Sequence, residues 1–279
     1  MFISHFKKLG IAMGVVVMAS LMAHGQEPIS SHKIYINGTQ VTSNADATDI
    51  LKDGTLSYNI DSRTLTLNNA RLVNVGKTAA IEFKDSEHDY AIRLVGNNSI
   101  TTAGGGISHL CNLSIKGDTL KCTSSNNKST AIWVRNGKTL TIKDCDLVAQ
   151  GWNGIGGTKD CREKMIVSNA HVVAQGFAPA GAQSGAAIRQ LSSLDMNGCG
   201  IILPQEAAFD KALHGVALNQ KLCMNVEISQ QSSVPVSYED IGNAQVVAIY
   251  DLAGRLLASP QQGLNILKMS DGRVIKVMK

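Results

Sequence analysis

Few side chains in this chain are suited to chemistry, and the two indoles stand out. Aromatic residues make up only 4% of the 279 positions, and Trp133 and Trp152 are the only tryptophans. Sugar rings bind proteins by stacking their C–H faces on exposed aromatics, while neighbouring Arg, Glu or Asn side chains hydrogen-bond the hydroxyls. Five short strings of two small residues and an Ile recur, at 79–81, 105–107, 130–132, 153–155 and 186–188. They are followed by Glu82, Ser108, Trp133, Gly156 and Arg189. If the strings are equivalent strands, these five residues form one outward column, with Trp152 just before its own copy. Gly156 then leaves a side-chain-free ledge beside Trp133. Trp133, Trp152, Glu82 and Arg189 are therefore the candidate ligand-binding residues. The competing interpretation packs the indoles under a loop, where they only seal a flank.

Catalysis has weaker support. A glycosidase needs two carboxylates roughly 5 to 10 Å apart, and a polysaccharide lyase needs an Arg or Lys base, usually with carboxylate-held Ca²⁺. Asp144 and Asp146 are close in sequence, but Asp144 falls among turn residues. Asp85, Glu87 and Asp89 read as a solvated charged loop. No catalytic residue is assigned. Lys116 and Lys143 share another outward column, where lysines at strand spacing favour solubility. His109, His171 and His214 are expected in loops or outward positions, and no His pair has ligand spacing. Six Cys form no CxxC pair, so no metal or cofactor is assigned. Their pairing stays open, since six Cys allow 15 connectivities.

The elements that must position these residues repeat. Stretches starting at Leu65, Leu113, Leu140, Met165 and Leu194 share the pattern apolar-x-apolar-x-turn-small-x-apolar, and a looser copy begins at Ile92. Each but the last, at Leu194, is followed by one of the small-small-Ile strings, giving two strands per repeat of about 26 residues, within the solenoid range. Period-2 alternation puts Leu113 and Ile115, or Leu140 and Ile142, on one buried face. One such unit cannot bury its apolar face alone, whereas stacked units make a continuous interior. The predicted fold is all-β: a single-stranded parallel β-helix of about six coils over 65–225. An antiparallel sandwich is the alternative. Asn69, Gly117, Asp144, Asn169 and Gly198 fall at the turn position and are predicted corner residues. The next position holds Ala70, Asp118, Cys145, Ala170 and Cys199, so Cys145 and Cys199 read as buried members of a small-residue stack.

The flanks differ. In residues 1–25, Lys7 and Lys8 precede an apolar run ending in Ala23-His24-Gly25, the pattern of a cleaved secretory signal peptide. The run is shorter than the ~20 residues needed to span hydrocarbon, so no integral membrane segment is expected. The formal charge is +4, and removing the leader's two Lys leaves +2, which argues against a nucleic-acid partner. Residues 26–64 contain two hairpin signals and are expected to cap the first coil.

From about Pro235 the repeat vanishes, and 235–279 reads as a small all-β module. Its ordered landmarks are Tyr250-Asp251, Gly254-Arg255, Gly263, the turn Asp271-Gly272, and Lys276 near a basic end. This set resembles the C-terminal sorting domain of type IX secretion cargo in Bacteroidetes. The resemblance implies a β-sandwich module recognised by outer-membrane secretion machinery, export through the periplasm, and a secreted or outer-surface location. The opening TLSYNIDSRTLTLNNARL resembles β-helical proteins of Bacteroidetes and Firmicutes that are called carbohydrate-binding. Together these resemblances imply a non-catalytic, glycan-binding or adhesin-like surface protein with an extracellular glycan as partner. A polysaccharide lyase or glycoside hydrolase, and a structural surface protein without a small ligand, are the alternatives.

Overall fold

The computed structural model describes residues 33–41, 49–126, 128–177, 185–230, 245–251, 254–270 and 274–278. The leader, Asp271 and Gly272 lie outside them. The described residues are all-β, and their centre is a parallel β-helix of about five turns.

Each coil has three sides rather than two strands. Side one carries the short strands Ile81–Phe83, Ile107–His109, Thr130–Val134, Asn153–Gly156 and Ala186–Arg189, all stacked in parallel. Sides two and three are the two halves of each longer repeat, as in Thr139–Lys143 followed by Asp146–Gly151. The corner between them explains the division. Asn69, Gly117, Asp144, Asn169 and Gly198 all have positive φ, as expected of corner residues. At Gly117 the requirement is strict, because an added Cβ would lie 2.1 Å from the Leu94 carbonyl oxygen.

Apolar ladders fill the interior. Ile81, Ile107, Ile132, Ile155 and Ile188 stack on side one. Leu65, Ile92, Ile115, Ile142, Val167 and Met196 stack on side two. Ile92 thus pairs with Ile115, two residues beyond the Leu113 expected from the sequence pattern. In a strand with period 2, a slip of two leaves every side chain on its own face, so alternation cannot detect it. An irregularity between Leu94 and Asn97 marks this coil.

Both ends are closed by antiparallel strands. Ile34–Ile36 pairs with Ile81–Phe83, and Leu56–Asn59 pairs with Thr64–Asn68. At the other end Asn225–Gln230 lies between His171–Gly176 and Cys199–Leu203, antiparallel to both, while Gly215–Leu218 pairs with side one. The sixth copy therefore continues the parallel stack on side two only, through Ser193–Asn197. Such strands cover ladders that would otherwise expose unpaired backbone.

Separately, Val246–Tyr250, Leu256–Leu257, Leu264–Met269 and Val274–Met278 form a four-stranded antiparallel sheet with its own small core of Leu267, Met269 and Val277. Among the described residues this is one sheet, not the two layers of a sandwich.

All six cysteines are free thiols. Cys145, Ala170 and Cys199 are buried along one corner, as the repeat pattern implies, but Asp118 turns outward and accepts the Gly96 N–H at 2.7 Å. Two other expectations are corrected. His109 sits within a strand and is 0% exposed, because its column, Phe83–His109–Val134, points inward. Its Nδ1–H donates to the Cys111 carbonyl at 2.8 Å. Asp85 is not solvated; at 6% exposure it accepts hydrogen bonds from Tyr90 Oη (2.6 Å), the Glu87 N–H (2.8 Å) and His88 Nδ1 (2.7 Å).

Candidate ligand-binding cleft

The outward column on side one forms as the repeats imply: Glu82 pairs with Ser108, Ser108 with Trp133, Trp133 with Gly156, and Gly156 with Arg189. Parallel stacking brings these residues, distant in sequence, to neighbouring steps of roughly 4.8 Å. Trp133 points out of the coil and is 38% exposed. Its ring leans toward the next coil, where Nε1–H donates to the Gly157 carbonyl at 3.0 Å. The Arg135 guanidinium lies 4.4 Å from the ring centroid and covers one indole face. A sugar can therefore stack only on the opposite face.

Trp133, Trp152 and Glu82 line a single open cleft of about 520 Å³ on side one. Arg189, the fourth candidate, is not in its wall; its guanidinium lies over the Trp152 ring, 5.6 Å from the centroid. Glu82 is held by Lys84 at 3.3 Å, and Lys84 in turn sits 4.0 Å from the Tyr35 ring centroid. Asn153 lines the cleft, but its amide joins the strands on either side, accepting from the Ala186 N–H (3.1 Å) and donating to Thr130 Oγ1 (3.2 Å).

One wall is the loop carrying Gly157, Thr158 and Lys159, and buried Glu163 anchors it. Glu163 Oε1 accepts from Thr158 Oγ1 (2.8 Å) and the Gly137 N–H (3.1 Å), and Oε2 accepts from the Thr158 and Arg162 N–H groups (3.1 Å each). Burial raises the pKa of this carboxyl, but the hydrogen bonds outweigh burial and hold it below the usual carboxylate range. The charged form thus fixes the wall.

Lys77, Lys128 and Lys159 complete the rim. Sequence reasoning missed them, although a signal existed. Lys77 and Lys128 each stand four residues before the Ile of a side-one strand, at Ile81 and Ile132, so the alignment that found Trp133 also places both lysines on one flank. Lys159 lies in a loop beyond the repeat and carries no such signal.

Two of the carboxylates weighed for catalysis, Asp144 and Asp146, lie elsewhere. Asp118, Asp144, Asp146 and His171 line a corner groove of about 620 Å³ between sides two and three. There Asp144 accepts from Asn169 Nδ2 at 2.6 Å, and His171 Nε2 lies in hydrogen-bond contact with Glu227 Oε1 at 3.0 Å. Asp118 and Asp144 thus stitch neighbouring coils, and His171 joins the last of them to the closing strand Asn225–Gln230. Among the described residues no three His, Cys, Asp or Glu side chains form a metal-binding group, and no helix is long and apolar enough to cross a membrane.

In the C-terminal sheet the described landmark residues fall in strands and turns. Arg255 Nε donates to Asp251 Oδ2 at 2.6 Å and the Arg255 N–H to Oδ1 at 2.8 Å, closing a turn that contains Gly254 at φ +78°. Tyr250 pairs with Leu256 and Ile266, Gly263 has φ +100°, and exposed Lys276 pairs with Ile266.

No protein-family profile matches the chain, and no curated protein or solved structure matches it either.

Proposed function

We propose that this chain is an exported, non-catalytic β-helical protein that binds an extracellular glycan in the side-one cleft, at the outer cell surface or beyond it. The observation that carries this reading is the convergence of both tryptophans on one open cleft in a chain otherwise poor in aromatics. Such a cleft offers rigid apolar faces, and the Thr158 hydroxyl and Gln190 amide in its wall can bond sugar hydroxyls. The engagement of Asp118 and Asp144 in coil-to-coil bonds favours binding over hydrolysis. The leader and the sorting-like tail serve transport, the tail through contact with outer-membrane secretion machinery of a Bacteroidetes-like cell.

Glycan-array screening followed by calorimetric titration tests the binding role. Trp133→Ala is expected to weaken the best array ligand by roughly tenfold or more, about 1.4 kcal/mol, with the fold intact. Unchanged affinity in that variant would move the site elsewhere. Release of new reducing or unsaturated ends from a bound polysaccharide would replace the binding role with an enzymatic one.

A further inference from the structure

The rim of the cleft has one sign of charge. Lys77, Lys128 and Lys159 are exposed, and none of them makes an ion pair among the described residues. The acids nearby are already engaged. Glu82 is bound to Lys84, Asp160 to Arg162 at 3.6 Å, and Glu163 turns inward onto the loop backbone. This local excess contrasts with a chain whose Lys and Arg number 26 against 22 Asp and Glu. Position adds to charge. Lys77 and Lys128 precede side-one strands two coils apart, so their backbones are separated along the axis by roughly 10 Å. Lys159 faces them from the loop on the other flank.

From this geometry we infer that the cleft selects acidic saccharides, chains of sugar rings bearing carboxylate or sulfate groups, over neutral ones. The inference rests on the glycan-binding reading above. The rings lie against the free face of Trp133 and against Trp152, and the anionic substituents point outward to the lysines on both flanks. Two lysines two coils apart suit a ligand with repeated charges better than one with a single acid group. Exposed Lys–carboxylate pairs are individually weak, so three of them supply a preference of roughly tenfold, not an absolute requirement. The preference is electrostatic and fades as salt is raised from 50 to 500 mM.

The test uses the full chain against an array of uronate and sulfated oligosaccharides, carboxyl-reduced or desulfated counterparts of equal length, and an oligothymidylate. The inference expects acidic members to bind roughly tenfold more tightly than their neutral counterparts. Lys128→Gln with Lys159→Gln should erase that difference by lowering the binding of the acidic members. Lys116→Gln with Lys143→Gln, on side two, should leave it unaltered. Equal binding of acidic and neutral members overturns the inference while the glycan-binding role stands, as does a preference that falls equally in both double variants. Binding of no saccharide overturns both readings, and so does tighter binding of the oligothymidylate, which makes the indoles and lysines a nucleic-acid surface.

Discussion

Trp133 shows how a single outward side chain acquires a defined pose. Its backbone position is set by the ladder, its ring by the bond to the Gly157 carbonyl, and one of its faces by Arg135. Arg135→Ala should uncover the second face and loosen the ring, changing the emission of this indole more than that of Trp152; fluorescence of the single-tryptophan variants reads this. The thiols give a second residue-scale prediction. Burial pushes Cys111, Cys122 and Cys145 up to about 12, while Cys161 is partly exposed and its thiol is raised less far. Native protein at pH 8 should therefore take up iodoacetamide at Cys161 far faster than at the other five, as peptide mass mapping would show. Labelling of Cys122 at a similar rate would mean that the coil opens. The inward face of His109 was hidden in the sequence because His tolerates either face. Only its column partners, Phe83 and Val134, identify the side.

At the scale of elements, corners and turns govern the register. Gly117→Ala must displace the Leu94 carbonyl as well as force an L-residue to φ +115°. It should cost about 2 kcal/mol or more and lower Tm by several degrees in a thermal melt. Gly198→Ala, at a corner where an added Cβ meets nothing within 4 Å, should cost clearly less. Most of the coil was legible in the sequence because stacked strands impose repeating apolar positions, and the corner column was legible because left-handed backbone demands Gly, Asn or Asp. The three-sided coil was not legible, since a corner inside an apolar-x-apolar run looks like a turn between the two halves of one strand unit. The true partner of Ile92 was hidden by period 2. Of the cleft, the indole column followed from repeat alignment, whereas Lys159 and the Glu163-anchored loop lie between repeats and obey no period. In the C-terminal sheet, Arg255→Ala removes the charged bond to Asp251. It should make that sheet more susceptible to limited proteolysis while the β-helix resists.

The molecule as a whole responds to acid through groups buried with one protonation state favoured. Burial lowers His109 to about 4 from an ordinary 6.5, so the unfolded chain binds its proton first as pH falls. Its contribution is therefore present in full above pH 6.5 and is lost between pH 6.5 and about 4, a change of about 3 kcal/mol. For Asp85, burial raises the carboxyl, but bonds from Tyr90, Glu87 and His88 outweigh it and leave the pKa depressed. Together with Glu163, this adds stability that is present above the ordinary carboxylate pKa and lost on further acidification. Thermal melts should thus show Tm falling below pH 6.5 and falling again below about pH 4. His109→Phe should flatten the first step and leave the second; an unaltered first step would assign it to another group.

The role assigned to the whole molecule depends on where a sugar lies. A crystal structure of the protein with the tightest oligosaccharide from the array is the most direct measurement. A pyranose ring should be found stacked on the Trp133 face opposite Arg135, extending toward Trp152. Sugar density in the corner groove beside Asp144 and His171, with the side-one cleft empty, would contradict that role.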